Sequence, residues 1–131
     1  MAIEVSSAVI ETLLAEAQAA APNECCGLLF GEGQGIAAAA PTRNLHPEPE
    51  SHFEIDPKAL IDAHRGARSG GATLIGYYHS HPNGMAEPSA TDREMAAADG
   101  MIWAIVAAGR VGFWRSGDAG FEALPYVLLP R

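Results

Sequence analysis

The chain has 131 residues, a formal net charge of −8 and only 18% charged residues. This length suits one domain whose core needs no disulfide staple, so we expect a single domain over residues 1–131. The acidic balance and the absence of clustered Lys or Arg argue against a nucleic-acid partner, because phosphate binding requires such clusters.

Apolar periodicity, helix caps and turn residues predict an alternation of helices and strands. In chain order we expect a helix from Ser6 or Ser7 to the residue before Pro22, strands over 24–30 and 36–40, a helix over 57–69, a strand over 73–78, a helix over 90–98, and strands over 101–107, 111–115 and 121–129. Strands interspersed with helices and ending in a β-meander indicate an α+β fold.

The N-terminal segment resembles neither a signal peptide nor a membrane span. It lacks a basic start, and Glu4, Glu11 and Glu16 interrupt its apolar residues. Both features predict a chain that stays in the cytoplasm and has no membrane partner.

A long polar segment, 42–57, separates the predicted hairpin from the second helix. It contains three prolines, so we expect an irregular loop, and loops of this length are often functional. Phe53 and Ile55 alternate within it like a short edge strand. His46 and His52 also lie there, either solvated or in contact with a substrate, whereas His64 falls on the exposed face of a predicted amphipathic helix.

The segment from His79 to Asp92 groups three potential metal ligands. His79 and His81 follow the β-branched and aromatic run 73–78 and lie two residues apart, so their imidazoles share one face at the end of a strand. Ser89 begins the next helix, which carries Asp92 in its first turn. Two histidines and a carboxylate leave the fourth tetrahedral position open, as in catalytic zinc sites.

Each part of this segment also has an ordinary structural interpretation. A His-x-His pair on a strand is common without a metal, and Ser89 could serve only as an N-cap with Asp92 near the positive end of the helix dipole. A cap does not explain the paired histidines, however, so the combination favours a metal site.

The spacing resembles the JAMM motif of the JAB/MPN family of metallopeptidases. That motif reads His, Ser or Thr, His, seven residues, Ser, two residues and Asp, and His79, His81, Ser89 and Asp92 fit it without a gap. The family also carries a glutamate just before a Cys-Gly-Leu-Leu strand, which matches Glu24. The chain is therefore similar to the prokaryotic stand-alone members of this family.

The resemblance spans residues 6–116 and implies both a fold and a mechanism. It implies one JAB/MPN domain with a curved mixed β-sheet flanked by helices, as in cytidine-deaminase-like folds. It further implies one Zn²⁺ per chain held by the ligand set His79, His81 and Asp92. In this scheme Glu24 acts as the general base and Ser89 donates a hydrogen bond to the oxyanion.

The implied reaction is hydrolysis of a peptide or isopeptide bond after the C-terminal Gly-Gly of a ubiquitin-like or sulfur-carrier protein. The loop over 42–57 would line the groove for the substrate's tail. Two alternatives remain: a non-catalytic scaffold that only binds partners, and a zinc nucleoside deaminase. The deaminase lacks support because the Pro-Cys-x-x-Cys element that would complete its zinc site is missing. A homodimer stays an open alternative.

Overall fold

The computed structural model describes residues 2–130, which form eight strands and three helices. In chain order these are β1 (Ile3–Ser6), α1 (Ser7–Ala20), β2 (Cys26–Glu32), β3 (Gly35–Thr42), α2 (Pro57–Arg68), β4 (Thr73–Ser80), α3 (Ala90–Met95), β5 (Ile102–Ala107), β6 (Arg110–Gly117), β7 (Gly120–Leu124) and β8 (Tyr126–Leu129). Across the described range, every helix is too short or too polar to cross a membrane.

All eight strands belong to one mixed sheet in the order β7-β6-β5-β4-β2-β3-β1-β8. β2 pairs antiparallel with β3 and β4, whereas β4 pairs parallel with β5 and β1 pairs parallel with both of its neighbours. The sheet curls strongly, because the ring of Tyr126 on β8 lies 4.9 Å from the ring of Phe113 on β6. This architecture confirms the expected α+β class with a curved mixed sheet.

Helix α1 packs on the concave side of the curled sheet. Ser6 caps it by accepting a hydrogen bond from the Ala8 amide, as the sequence predicts. Its buried residues Val9 and Leu13 join the core together with Leu29 and other sheet side chains. Complete burial of side chains of this size contributes about 1.5–3 kcal/mol each.

At the ends of the chain the sequence missed one strand and wrongly predicted another. The segment 3–6 forms β1 ahead of the helix, although four residues give too short a pattern to reveal a strand. The predicted strand over 121–129 is two strands, which break at Pro125 and lie on opposite edges of the sheet. Proline has no amide to donate, and its carbonyl instead accepts from the Ile3 amide at 3.0 Å, which begins the pairing of β8 with β1.

The helix predicted over 90–98 ends earlier, at Met95. Ala96 already has an extended backbone, and Ala98 has a positive φ of 51°. The Ala98 amide leaves the helix to donate to the Ser116 hydroxyl at 3.1 Å, so a tertiary contact ends this helix.

Strand β4 brings the predicted metal segment to the start of β2. In their antiparallel pairing His79 lies opposite Cys26, so Glu24 is two residues from that point. On its other side β4 approaches β5 closely. A Cβ on Gly76 would lie 2.1 Å from the Ile102 carbonyl oxygen, so glycine is required there.

Candidate metal centre

Three side chains converge at the end of β4. The Nε2 atom of His79 lies 3.0 Å from Nε2 of His81 and 3.0 Å from Oδ1 of Asp92, and Nε2 of His81 lies 3.1 Å from Oδ2 of Asp92. His79 is completely buried and Asp92 is 4% exposed. The structure thus brings together the three residues that the sequence predicts as ligands, and they could hold a metal ion.

Asp92 reaches this position because helix α3 begins with a capping box. The Ser89 hydroxyl accepts from the Asp92 amide at 3.0 Å, and the Ser89 amide donates to the Asp92 carboxylate at 3.0 Å. The cap therefore fixes both the first helical turn and the direction of the carboxylate. The predicted N-cap role of Ser89 and the proximity of Asp92 to the histidines occur together.

The electrostatics of the cluster suit a cation. Burial opposes ionisation of Asp92, but hydrogen bonds from His79 and His81 lower the pKa of its carboxyl well below the usual range. Burial lowers the pKa of His79, which favours the neutral ring that binds metals. Burial also lowers the pKa of His81. Hydrogen bonds to Asp92 and to the Met85 carbonyl, together with the nearby carboxylates, outweigh burial and raise the pKa of His81 above its usual value.

The donor atoms fit a small divalent ion. A tetrahedral zinc site with bonds of about 2.0–2.1 Å has ligand atoms about 3.3 Å apart. The triangle formed by the two histidine Nε2 atoms and Oδ2 of Asp92 has edges of 3.0 to 3.1 Å, which is slightly tighter than one face of such a site. Two imidazoles and one carboxylate are also a donor set typical of zinc.

The two imidazole rings are oriented in different ways. Nδ1 of His81 hydrogen-bonds the Met85 carbonyl at 2.8 Å. The segment carrying Met85 is itself anchored on β6, where the Trp114 indole donates to the Ala86 carbonyl at 3.2 Å. A Cβ on Gly112 would lie 2.3 Å from that same carbonyl oxygen, so a larger residue there would displace the segment.

His79 has no comparable hydrogen bond. Its Nδ1 atom is buried without a hydrogen-bond partner among the described residues. Its ring stacks instead on Phe53, with ring centroids 4.2 Å apart and an interplanar angle of 18°. Trp103 meets the ring edge-on at 5.6 Å. The predicted loop thus contributes an aromatic contact to the centre.

Glu24 is held beside the cluster by backbone hydrogen bonds. Its amide donates to the Pro49 carbonyl at 2.7 Å, and its carbonyl accepts from the Asn44 side-chain amide at 3.1 Å. The next amide, that of Cys25, donates to the Ser80 hydroxyl at 2.8 Å. Burial raises the pKa of the Glu24 carboxyl to about 7, with His81 opposing the shift and Asp92 adding to it.

Two cavities meet at this centre, and Glu24 and Thr91 line both of them. The first, of about 270 Å³, is largely apolar and aromatic. Its apolar and aromatic lining residues are Phe53, Ile55, Leu60, Tyr77, Met95 and Trp103. The second, of about 600 Å³, is more polar and includes Ser89, His81 and Glu87. An extended chain can therefore approach the centre from one side and leave on the other.

The remaining histidines lie outside the donor cluster. His46 and His52 stack on each other with centroids 4.6 Å apart, and His52 lines the apolar cavity. His64 is exposed on α2, as expected. The sequence did not reveal the roles of Asn44 and Ser80, because a single polar residue in a loop or between two histidines carries no pattern of its own.

Comparison with known proteins places these features in a family. Residues 6–117 match the model of the prokaryotic homologues of the JAB domain. The desampylase of Haloferax volcanii is 38% identical over 86 residues, which cover 64% of this chain and 62% of that protein. The probable TtuB-protein conjugate cleaving protease of Thermus thermophilus is 34% identical over 92 residues, covering 70% and 62%.

A third relative is a phage tail protein. The tail tip assembly protein K of Escherichia phage N15 is 32% identical over 109 residues, which cover 83% of this chain and 40% of that protein. The chain thus spans less than two thirds of the length of each of these three relatives.

Solved structures share the fold over nearly the whole chain. A protein of Desulfitobacterium hafniense superposes with a TM-score of 0.85 and 29% identity, covering 98% of this chain and 94% of that one. A JAB1/MPN domain protein of Archaeoglobus fulgidus superposes with a TM-score of 0.64 and 21% identity, covering 96% and 98%. The second likeness concerns the fold alone.

The first prediction concerns metal binding. The wild-type chain should bind one zinc, and both Asp92→Ala and Asp92→Asn should lose stoichiometric binding, because each removes the only charged donor of the triangle found among the described residues. Asparagine retains an oxygen for the helix cap, so its loss of zinc would separate coordination from folding. Chelator competition and elemental analysis measure the binding. Glu94→Ala, an exposed change on the same helix, is the control and should bind zinc normally.

The second prediction concerns the stability of the metal-free chain. Because the folded-state pKa of Glu24 is raised from 4.5 to about 7, the folded state binds more protons than the unfolded state between these values, and stability falls as pH rises. The Glu24→Gln variant lacks this titration. The difference in free energy of unfolding between Glu24→Gln and the wild type should shift in favour of the variant from pH 4.5 to about 7, and stay constant above that pH. We expect about 2 kcal/mol, after allowing for solvent in the cleft.

Denaturant unfolding in the presence of a chelator, repeated at several pH values, measures this difference. Parallel pH profiles for the wild type and Glu24→Gln would contradict the burial of an ionisable carboxyl at this position.

Proposed function

The chain belongs to the prokaryotic JAB-domain family, and from this premise we propose that it is a zinc-dependent peptidase. Its reaction is hydrolysis of the peptide or isopeptide bond after the C-terminal Gly-Gly of a ubiquitin-like or sulfur-carrier protein. The observation that carries the proposal is the donor triangle of His79, His81 and Asp92 beside a cleft that also holds Glu24. The names of the desampylase and of the conjugate cleaving protease support the substrate class.

The zinc would be held by His79, His81 and Asp92, and Glu24 would act as the general base and acid. A bound zinc supplies Lewis acidity, which makes water a nucleophile near neutral pH by lowering its pKa to about 7. The Glu24 carboxylate takes the proton of the attacking water and delivers it to the leaving amine. In the metal-free chain burial raises the pKa of Glu24 to about 7. A cation held by the neighbouring donor triangle would favour the carboxylate form, which is the form that accepts the proton.

Ser89 would stabilise the oxyanion that forms when water attacks the scissile carbonyl. The Ser89 oxygen accepts from the Asp92 amide, which leaves its own hydroxyl proton available for another acceptor. The residue is exposed and lines the more polar cavity, so that acceptor can belong to a substrate. The hydrogen bond accelerates the reaction to the extent that it is stronger to the oxyanion than to the carbonyl.

The alternative of a non-catalytic scaffold has less support. A scaffold gains nothing from the buried carboxylate of Asp92 and the buried imidazole of His79 beside a cleft, since burial of such groups costs stability. The deaminase alternative is weaker still, because neither cysteine belongs to the donor group found among the described residues.

The third prediction separates metal binding from chemistry. Because Glu24 is proposed as a base and not as a ligand, Glu24→Gln should retain zinc while turnover falls at least about a hundredfold. Steady-state kinetics on a fluorogenic Gly-Gly substrate and elemental analysis of the same sample measure both quantities. Glu32→Gln, an exposed change at the far end of β2, is the matched control and should keep full activity.

Unchanged turnover in Glu24→Gln would remove this residue from the mechanism. Parallel loss of zinc would instead identify Glu24 as a ligand. Zinc binding without hydrolysis of any Gly-Gly substrate by the wild type would favour the scaffold.

The fourth prediction concerns the substrate. The chain should cleave after Gly-Gly in a ubiquitin-like or sulfur-carrier protein and act poorly on casein. Replacing the terminal glycine of the carrier by valine should lower kcat/KM at least about a hundredfold, because a branched side chain keeps the scissile carbonyl away from the metal. A linear C-terminal extension and a lysine conjugate of the same carrier, compared by mass spectrometry, distinguish peptide from isopeptide cleavage. Equal cleavage of the valine form would contradict the narrow-groove interpretation.

A further inference from the structure

The two histidines of the donor triangle differ in what fixes their rings. Each presents Nε2 to Asp92 and therefore turns Nδ1 away from it. A neutral imidazole that binds a metal through Nε2 carries its proton on Nδ1. Such rings usually donate that proton to a carbonyl or carboxylate, which sets their orientation. His81 has this arrangement, with the Met85 carbonyl at 2.8 Å from its Nδ1.

His79 is completely buried and lacks that support, since its Nδ1 has no partner among the described residues. Aromatic contacts occupy its surroundings instead. Phe53 lies nearly parallel to the imidazole at 4.2 Å, and Trp103 is nearly perpendicular to it at 5.6 Å. Trp103 also contacts Phe53 edge-on at 6.0 Å, so the three rings form one packed group.

The backbone on either side of Phe53 is held by the Asn44 side chain and by a backbone bond from the Leu45 amide to the Glu54 carbonyl at 2.9 Å. The Asn44 amide donates to the His52 carbonyl at 2.9 Å, and its oxygen accepts from the Glu54 amide at 3.0 Å. These two bonds hold the residues on either side of Phe53. The loop therefore presents the phenyl ring to His79 from a fixed backbone, although the loop has no regular secondary structure there.

We propose that Phe53 is a positioning residue for the metal centre: it fixes the ring plane of His79 by stacking, since no described residue offers a hydrogen-bond acceptor to the Nδ1 atom of that ring. This inference rests on the proposed zinc-dependent function, because it concerns the geometry of one of its ligands. Phe53 has no atom that could bind the metal. It affects the metal only by orienting the imidazole of His79.

The arrangement also links the metal ligand to the proposed base. The same Asn44 amide donates to the Glu24 carbonyl at 3.1 Å. One side chain therefore positions the backbone of Glu24 and the backbone around Phe53. Displacement of this loop would disturb a metal ligand and the base together.

The test compares metal affinity among substitutions of Phe53, with zinc and cobalt as the probes. Phe53→Ala should weaken zinc binding about tenfold or more, the usual scale for loss of a group that orients a metal-bound histidine. Phe53→Leu should also bind more weakly, because it restores apolar volume but no flat ring. Phe53→Tyr should recover affinity, since it keeps the stack. The absorption spectrum of the cobalt-loaded chain should change in the alanine and leucine variants and return in the tyrosine variant.

Leu45→Ala is the matched control, because Leu45 is an exposed apolar side chain of the same loop. It should leave the zinc affinity and the cobalt spectrum unchanged. Thermal unfolding of the metal-free variants checks the fold, and if the alanine variant does not fold the leucine and tyrosine pair decides. Zinc affinity of Phe53→Leu within twofold of the wild type, or an equal loss in Leu45→Ala, would overturn the positioning role. Absence of zinc binding by the wild type would overturn the metal site, and this inference with it.

Discussion

The carboxylate of Asp92 joins the local structure of helix α3 to the donor triangle. It accepts from the Ser89 amide as part of the helix cap, and from the same position it meets both imidazoles. An ionised group buried to this extent is costly unless every lone pair is satisfied. The cap and the two histidines supply that satisfaction. Asp92, at the third helical position, can both cap the helix and contact the histidines only because the start of α3 lies beside the end of β4 in space.

The tripeptide 79–81 contributes to the site with side chains on both faces of the sheet. His79 and His81 point towards Asp92, while Ser80 between them points the opposite way and accepts from the Cys25 amide. This follows from the alternation of side chains along an extended chain. The two histidines therefore form the donor pair, and the residue between them fixes the segment that carries Glu24. Antiparallel pairing of β2 with β4 supplies the remaining alignment.

Local patterns predicted that His79, His81 and Asp92 lie close together, whereas contacts between distant segments limited the rest of the prediction. The spacing from His79 to Asp92 involves one strand end, one turn and one helix cap, each with its own signal in the sequence. Glu24 came from the family resemblance, since nothing near it indicates which carboxylate will face the cleft. Strand β1 depends on β3 and β8, and Phe53 is held beside His79 by bonds of Asn44 and of the loop backbone. Neither the pairing of β1 nor the contact of Phe53 with His79 produces a periodic pattern in the sequence.

Strand β8 ends the sheet with the side chains of Tyr126 and Leu129 partly open to solvent and those between them more so. An apolar edge of this kind invites another chain to add a strand. Here Pro125 and Pro130 flank the strand, and neither can donate an amide hydrogen bond. An added strand would find only a four-residue register between these two stops. The two prolines thus limit the length over which another strand could pair with this apolar edge.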